Sequence, residues 1–431
     1  MKKLSIAIAL ILASLLMAPK FIGSVVEEER EKVLVELNNT DGITLTTSQY
    51  TSSWFGAEVT SELTFSLDDA GLADVTILLE EQLSFGPVII TEQDWHLGLG
   101  YSSMKFEFSA AEVDDEIIDL INEKLHLGAL LSFNKDVTTF IKTEEMSYQD
   151  GETLIVSAPA EAQFTLINNE EINGDFSWGG IEIKGEGERF VIGTVAMSTE
   201  QKVVSGDYLQ GTAILTGDAT FNVANIDMYS QNSHVFSLSE AGLTSVVSVD
   251  DELLALKLKY HAKEISASGQ SFEQPNLEVV LANIDINALQ ELNKLSAELS
   301  IDVAGQDYSA ELLAALSAVA DQILAKEPKL TVTDLSVVTE QGKIASEFSL
   351  NINKDLFDFN SINSNSMALI MALEADAKGS VPMEFLTQFG MAPMVDNFVA
   401  QGYLTKQDND VSFVAKYVES QLTINGKAFQ L

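Results

Sequence analysis

The sequence predicts an α+β fold: predominantly long antiparallel β-sheet, a few packed helices and an N-terminal membrane-anchor helix. Three observations predict it. An apolar run follows two N-terminal lysines, apolar and polar residues alternate with period two through most of the chain, and a few short segments repeat apolar residues at helical spacing.

The N-terminal segment comes first. Met1-Lys2-Lys3 precedes an almost unbroken apolar stretch from Leu4 to Ala18, and then Pro19 and Lys20. A positive end of this kind stays in the cytoplasm, which places the chain beyond Val26 in the periplasm. The apolar run of about 15 residues is short of the roughly 20 that span hydrocarbon. It lengthens to about 20 when Lys20 snorkels and Phe21 to Val26 continue the helix. Phe21-Ile22-Gly23 has a bulky residue where a leader-cleavage site needs a small one. Residues 1–26 are therefore expected to be a retained signal-anchor in the bacterial inner membrane.

Val26 to Leu37 continues that helix, and Asn38 to Gly42 breaks it. Beyond the break, Val59, Leu63, Phe65 and Leu67 alternate with Glu58, Thr60, Glu62, Thr64 and Ser66. One face of such a strand meets a core and the other meets water, as in an antiparallel sheet. Met104, Phe106 and Phe108 repeat the pattern, as do Ile344, Phe348, Leu350 and Ile352. Glycines at 151, 174, 179, 180, 206, 211, 217 and 342 punctuate the strands.

Four helices interrupt them. Ser109-Ala110-Ala111-Glu112 reads as a capping box ahead of Val113, Ile117, Ile118, Ile121 and Leu125. A second helix follows Asn287, with Leu289, Leu292 and Leu295 on one face. A third has Ser309 as N-cap, carries Leu312, Leu316, Val319 and Ile323, and ends before Pro328. A fourth runs from about Pro382 to Gln401, broken at Gly390 and stopped by Gly402. The shift from strands alone to strands with helices divides the chain into a β-rich lobe, 27–284, and an α+β lobe, 285–431.

Composition narrows the chemistry. With 24 Lys+Arg against 65 Asp+Glu the formal charge is −41, and no basic patch offsets it, so a nucleic-acid partner is excluded. The chain has no cysteine, which removes disulfides, thiolate metal sites and cysteine nucleophiles. His96, His126, His234 and His261 are scattered, with no i, i+4 pair. The nucleophile elbow G-x-S-x-G is absent, and Asp408-Asn409-Asp410 lacks the rest of a calcium loop and reads as a hairpin turn. Asp114-Asp115 complements a helix end. The aromatic stretch Tyr50 to Phe55 reads as a hydrophobic plug where two strands turn, against a binding platform. No catalytic, cofactor-binding or metal-binding residue emerges, and the expectation is a protein that is not an enzyme.

Some of these residues carry a resemblance. The lysine-led N-terminus, Tyr50-x-x-x-Trp54-Phe55, Phe85-Gly86-Pro87, Pro328-Lys329-Leu330-x-Val332-x-x-Leu335, Thr339-Glu340-Gln341-Gly342-Lys343 and Leu422-Thr423-Ile424-Asn425-Gly426-Lys427 together resemble the YdgA-like family of bacterial envelope proteins. Phe85 stands where that family usually has a histidine. The resemblance implies an inner-membrane-anchored periplasmic protein and supplies no catalytic residues. Three functions are weighed: binding a lipid-like ligand on a one-sided sheet, scaffolding or homo-oligomerisation through a sheet edge, and hydrolysis by paired carboxylates.

Overall fold

A computed structural model describes residues 2–38, 42–66, 75–90, 95–108, 115–206, 212–231, 233–267, 269–302, 310–356 and 367–429. Contacts divide the chain into two compact units. The first comprises Met1–Glu186, Thr194–Lys202 and Asp207–Ala213; the second comprises Gly187–Gly193, Val203–Gly206 and Ile214–Leu431. The compositional shift near residue 285 falls inside the second unit. Both units are mainly antiparallel sheet with helices packed against it.

In the first unit the strands Ile43–Ser52, Gly56–Phe65, Val75–Phe85, Gly100–Phe108, Leu125–Leu131, Val137–Thr143, Ala160–Ile167 and Glu171–Trp178 each pair antiparallel with the next. The predicted alternation is visible in the strand Gly56–Phe65, where Val59 is buried between exposed Glu58 and half-buried Thr60. Helix α1 (Lys2–Asn38) lies on these strands. Its buried residues Pro19, Gly23 and Val26 are four and three apart, the spacing of one helix face. Val26 joins Ala57, Val59, Leu83 and Phe85 in the core, with Ile22, Tyr50, Leu99 and Leu131 packed around them. Burying each larger side chain of this set stabilises the unit by roughly 1.5–3 kcal/mol.

This corrects the use foreseen for Phe21 to Val26. Ile22, Gly23 and Val26 pack on the sheet instead of extending the apolar run, because their helix face meets Phe85 and Gly100. Among the described residues no helix is long and apolar enough to cross a membrane. Farther along α1, Arg30 donates to Glu81 Oε2 at 3.0 Å, to Ser61 Oγ at 3.0 Å and to Thr47 Oγ1 at 3.2 Å. Glu81 also accepts from Ser102 Oγ at 2.7 Å, so both part-buried charges are paired and hydrogen-bonded. Helix α2 (Asp115–Lys124) carries the predicted stripe but stops before Leu125, which pairs with Thr143 and opens a strand. Its capping box at 109–112, like Ser309, lies outside the described residues.

In the second unit Ile214–Ser230, Ser233–Asp250, Leu253–His261, Gln270–Asp285, Lys329–Thr339, Gly342–Ile352, Leu373–Pro382 and Asp410–Val418 form another antiparallel succession. Helices α3 (Ile286–Asp302) and α4 (Ala310–Leu324) pack on each other and on the strand Gln270–Asp285. Asp285 starts α3 by accepting from the Ala288 N–H at 2.9 Å, an N-cap that satisfies one orphan donor. The helix expected over 382–401 appears as Met383–Gln388 and Ala392–Gln401, with Gly390 at φ +70° and Gly402 at φ +77°. Only glycine holds that left-handed conformation without strain, which is why the helices stop there.

Candidate functional site

The second sheet carries a row of apolar residues directly opposite one another. Phe221 faces Leu243, Leu243 faces Tyr260, Tyr260 faces Leu277 and Leu277 faces Leu335, one residue from each of five neighbouring strands. Side chains alternate along a strand, so all five share a face. Two rows away on that face, Val247 and Leu256 are covered by Ile286 and Leu289 of α3, in a cluster with Ile214 and Leu254. At the Phe221–Leu335 row the cover has ended. Phe221, Tyr260 and Leu335 are 42, 44 and 50% exposed.

A crease in the sheet turns this open face into a groove. Glu240 and Gln274 sit at φ +47° and +50°, inside strands where extended backbone is the rule. Between them the Lys263 N–H donates to Ser239 O at 3.0 Å, and the Gln274 N–H donates to Lys263 O at 2.8 Å. The Lys263 ammonium adds a 2.7 Å ion pair to Glu240. Two strands slip phase by one residue at this line, as at a β-bulge. Phe221 and Val223 face the groove on one side and Ile226 on the other, a step of three where two is the norm; Ala241 and Leu238 repeat it. Two apolar slopes thus meet in one depression of about 760 Å³, within the range of roughly 300–1,000 Å³ for small-molecule sites.

The alternate row, Asn222, Gly242, His261, Asn276 and Ser336, points to the opposite face by the same rule. A Cβ on Gly242 would sit 2.5 Å from His261 Cε1. Asn276 Nδ2 donates to Asp334 Oδ2 at 2.7 Å there.

The groove suits an apolar chain in its walls and offers little for acid–base work. The four histidines do not converge. His96 stacks on Tyr101 with ring centroids 4.7 Å apart, His126 lies 3.3 Å from Glu144, His234 lies 2.9 Å from Asp227, and His261 adjoins Gly242. Acids drawn into the interior have structural partners: Glu81 has Arg30, Asp285 the α3 amide, and Asp227 both Asn225 and His234. Among the described residues no group of three His, Asp or Glu could hold a metal ion. Burial pushes the Tyr50 and Tyr101 hydroxyls above their ordinary pKa. Glu278, next to Leu277 on the strand Gln270–Asp285, is held below its ordinary value chiefly by a hydrogen bond from Lys257.

The aromatic stretch divides in two. Tyr50 packs into the first core as a plug does, whereas Trp54 and Phe55 are exposed in the turn between two strands. Asp408-Asn409-Asp410 forms the expected hairpin turn, with Asp408 at φ +51°. The groove residues Phe221, Tyr260 and Leu277 escaped sequence reasoning, because a periodic strand looks alike whether its apolar face is covered or open. Pro275, beside the crease, was the available signal.

Comparison with curated proteins and with solved structures returns no match. A family model described as "Bacterial protein of unknown function (DUF945)" matches residues 1–431, the full length, and the chain belongs to that family.

Proposed function

We propose that this is a YdgA-like, non-enzymatic protein of the bacterial envelope, held at the inner membrane by its N-terminal helix with its bulk in the periplasm, and that the groove of the second unit binds the acyl chain of a lipid. One observation carries the ligand reading: the open row from Phe221 to Leu335, continued across the crease by Ile226 and Leu238. Exposed apolar surface of this extent marks a binding site more often than bare surface. The lysine-led apolar run Leu4 to Ala18 supports the membrane reading and supplies the ligand class, since the nearest abundant apolar chains are those of the bilayer.

The test is titration of the full-length, detergent-solubilised protein with a dansyl-labelled fatty acid. Saturable binding with enhanced dansyl emission is expected for the wild type, and its loss in Leu335→Asp. Leu335 is half exposed, so the substitution leaves the fold intact. Equal binding by both proteins, or none by the wild type, removes the ligand reading.

A further inference from the structure

The first unit exposes a second apolar surface, at the end where α1 leaves the sheet. Followed backwards from its C-terminus, α1 meets Leu45 through Asn38, Glu81 through Arg30, Gly100 through Val26 and Phe85 through Gly23. Phe85 is the last residue of its strand, so the helix passes the strand ends at this point. The turn carrying Trp54 and Phe55 lies at the same end, since the Phe85 N–H donates to Phe55 O at 2.7 Å. Three residues beyond Phe85 begins the hairpin Val88–Ile90 with Trp95–Leu97, stitched to the same place by Gly86 N–H to Leu99 O at 2.8 Å.

That hairpin is apolar on both faces. Ile89 is buried, while Val88, Ile90, Trp95 and Leu97 point outward, Ile90 being 80% exposed. A two-stranded hairpin in water normally turns polar residues out. On the helix itself Met17 and Phe21, four apart on the outward face, are 50 and 69% exposed. Three separate segments therefore present apolar side chains around one helix exit.

We propose that this collar is a bilayer-docking surface: Trp54, Phe55, Ile90 and Trp95 sink into the headgroup and upper acyl layer around the entry point of α1. The proposal rests on the reading of α1 as the membrane anchor. Its occupant follows from continuity, because the next residues of the same helix are the apolar run Leu4 to Ala18. Tryptophan and phenylalanine beside an interfacial lysine, here the exposed Lys20, are the residues that favour this depth. The collar also answers a shortfall in length. Fifteen helical residues rise about 22 Å, below the roughly 30 Å of hydrocarbon. Sinking an apolar rim draws the folded unit into the interface and lets a short span suffice.

The tryptophans make the test direct. The chain has three, and Trp178 lies away from the collar, donating to Ser157 Oγ at 3.1 Å. The full-length protein is reconstituted into phosphatidylethanolamine–phosphatidylglycerol vesicles, with or without lipid brominated high on the acyl chain, and floated on a density gradient. Co-flotation with a blue-shifted tryptophan emission that brominated lipid quenches is expected. The double variant Trp54→Phe/Trp95→Phe, altered only at exposed positions, is expected to float equally and lose the quenching. Co-flotation without quenching overturns the collar and leaves the anchor standing, and shielding of the same emission from aqueous iodide would then assign the surface to a protein partner. Absence from the floated fraction overturns the anchor reading and the collar with it.

Discussion

Arg30 on helix α1 and Glu81 on the strand Val75–Phe85, 51 positions apart, meet at 3.0 Å with both side chains mostly buried. Removing one partner strands the other charge away from water. Arg30→Ala is expected to destabilise the first unit by roughly 3–5 kcal/mol, read as a shift in the urea midpoint. The double variant Arg30→Ala/Glu81→Ala is expected to cost less than the two single losses added together. Strict additivity would mean that the pair contributes nothing to docking the helix.

Gly23 offers a second handle on the same contact. A Cβ at this position would lie 2.7 Å from Phe85 Cε2, so any side chain must push the helix or the ring aside. Gly23→Val is expected to cost about 1–3 kcal/mol by overpacking. A melting temperature unchanged from wild type would show that the helix does not rest on Phe85.

In the groove, Phe221→Ala removes a ring that a bound chain would cover. The expected loss is about tenfold in affinity for a dansyl-labelled fatty acid, equivalent to about 1.4 kcal/mol. Glu278→Gln, next to Leu277 on the same strand but on the face opposite the apolar row, serves as the comparison and should bind as wild type does. Parallel losses in both variants would point to a general loosening of the sheet.

Acid should loosen the helix in a defined direction. The Lys135 ammonium donates to Glu29 at 2.6 Å and, with help from Lys32, holds that carboxyl below its ordinary value of 4.5. A carboxyl depressed in the folded state contributes stability at pH above its unfolded value, and the contribution is lost as pH falls through the folded one. Unfolding midpoints measured from neutral pH downward should therefore drop more steeply in wild type than in Glu29→Gln below about pH 4.5. Superimposable acid limbs would remove Glu29 from the account.

Much of the fold was legible because its causes are local. Val59 and Ile344 announce their strands by alternation, and Gly390 and Gly402 mark helix ends by a conformation that other residues adopt only under strain. Leu125 was misread because its place in a helical stripe competes with pairing to Thr143, a partner 18 positions away that no window of local sequence contains. The groove was hidden for a related reason. Its crease depends on Glu240 and Gln274 adopting positive φ, and neither residue type advertises this; the neighbouring strands impose it. The opposition of Phe221, Leu243, Tyr260, Leu277 and Leu335 is a matter of register, which long strands settle only when they pair.

The continuity of α1 from Lys2 to Asn38 has a mechanical consequence. A floppy leash would let the attached body tumble freely, but here Gly23, Val26 and Arg30 clamp the rod along its flank. A tilt applied near Leu4 is transmitted as rotation of the strands it grips, and a torque on those strands returns along the rod. The first unit and this helix respond to load as a single lever.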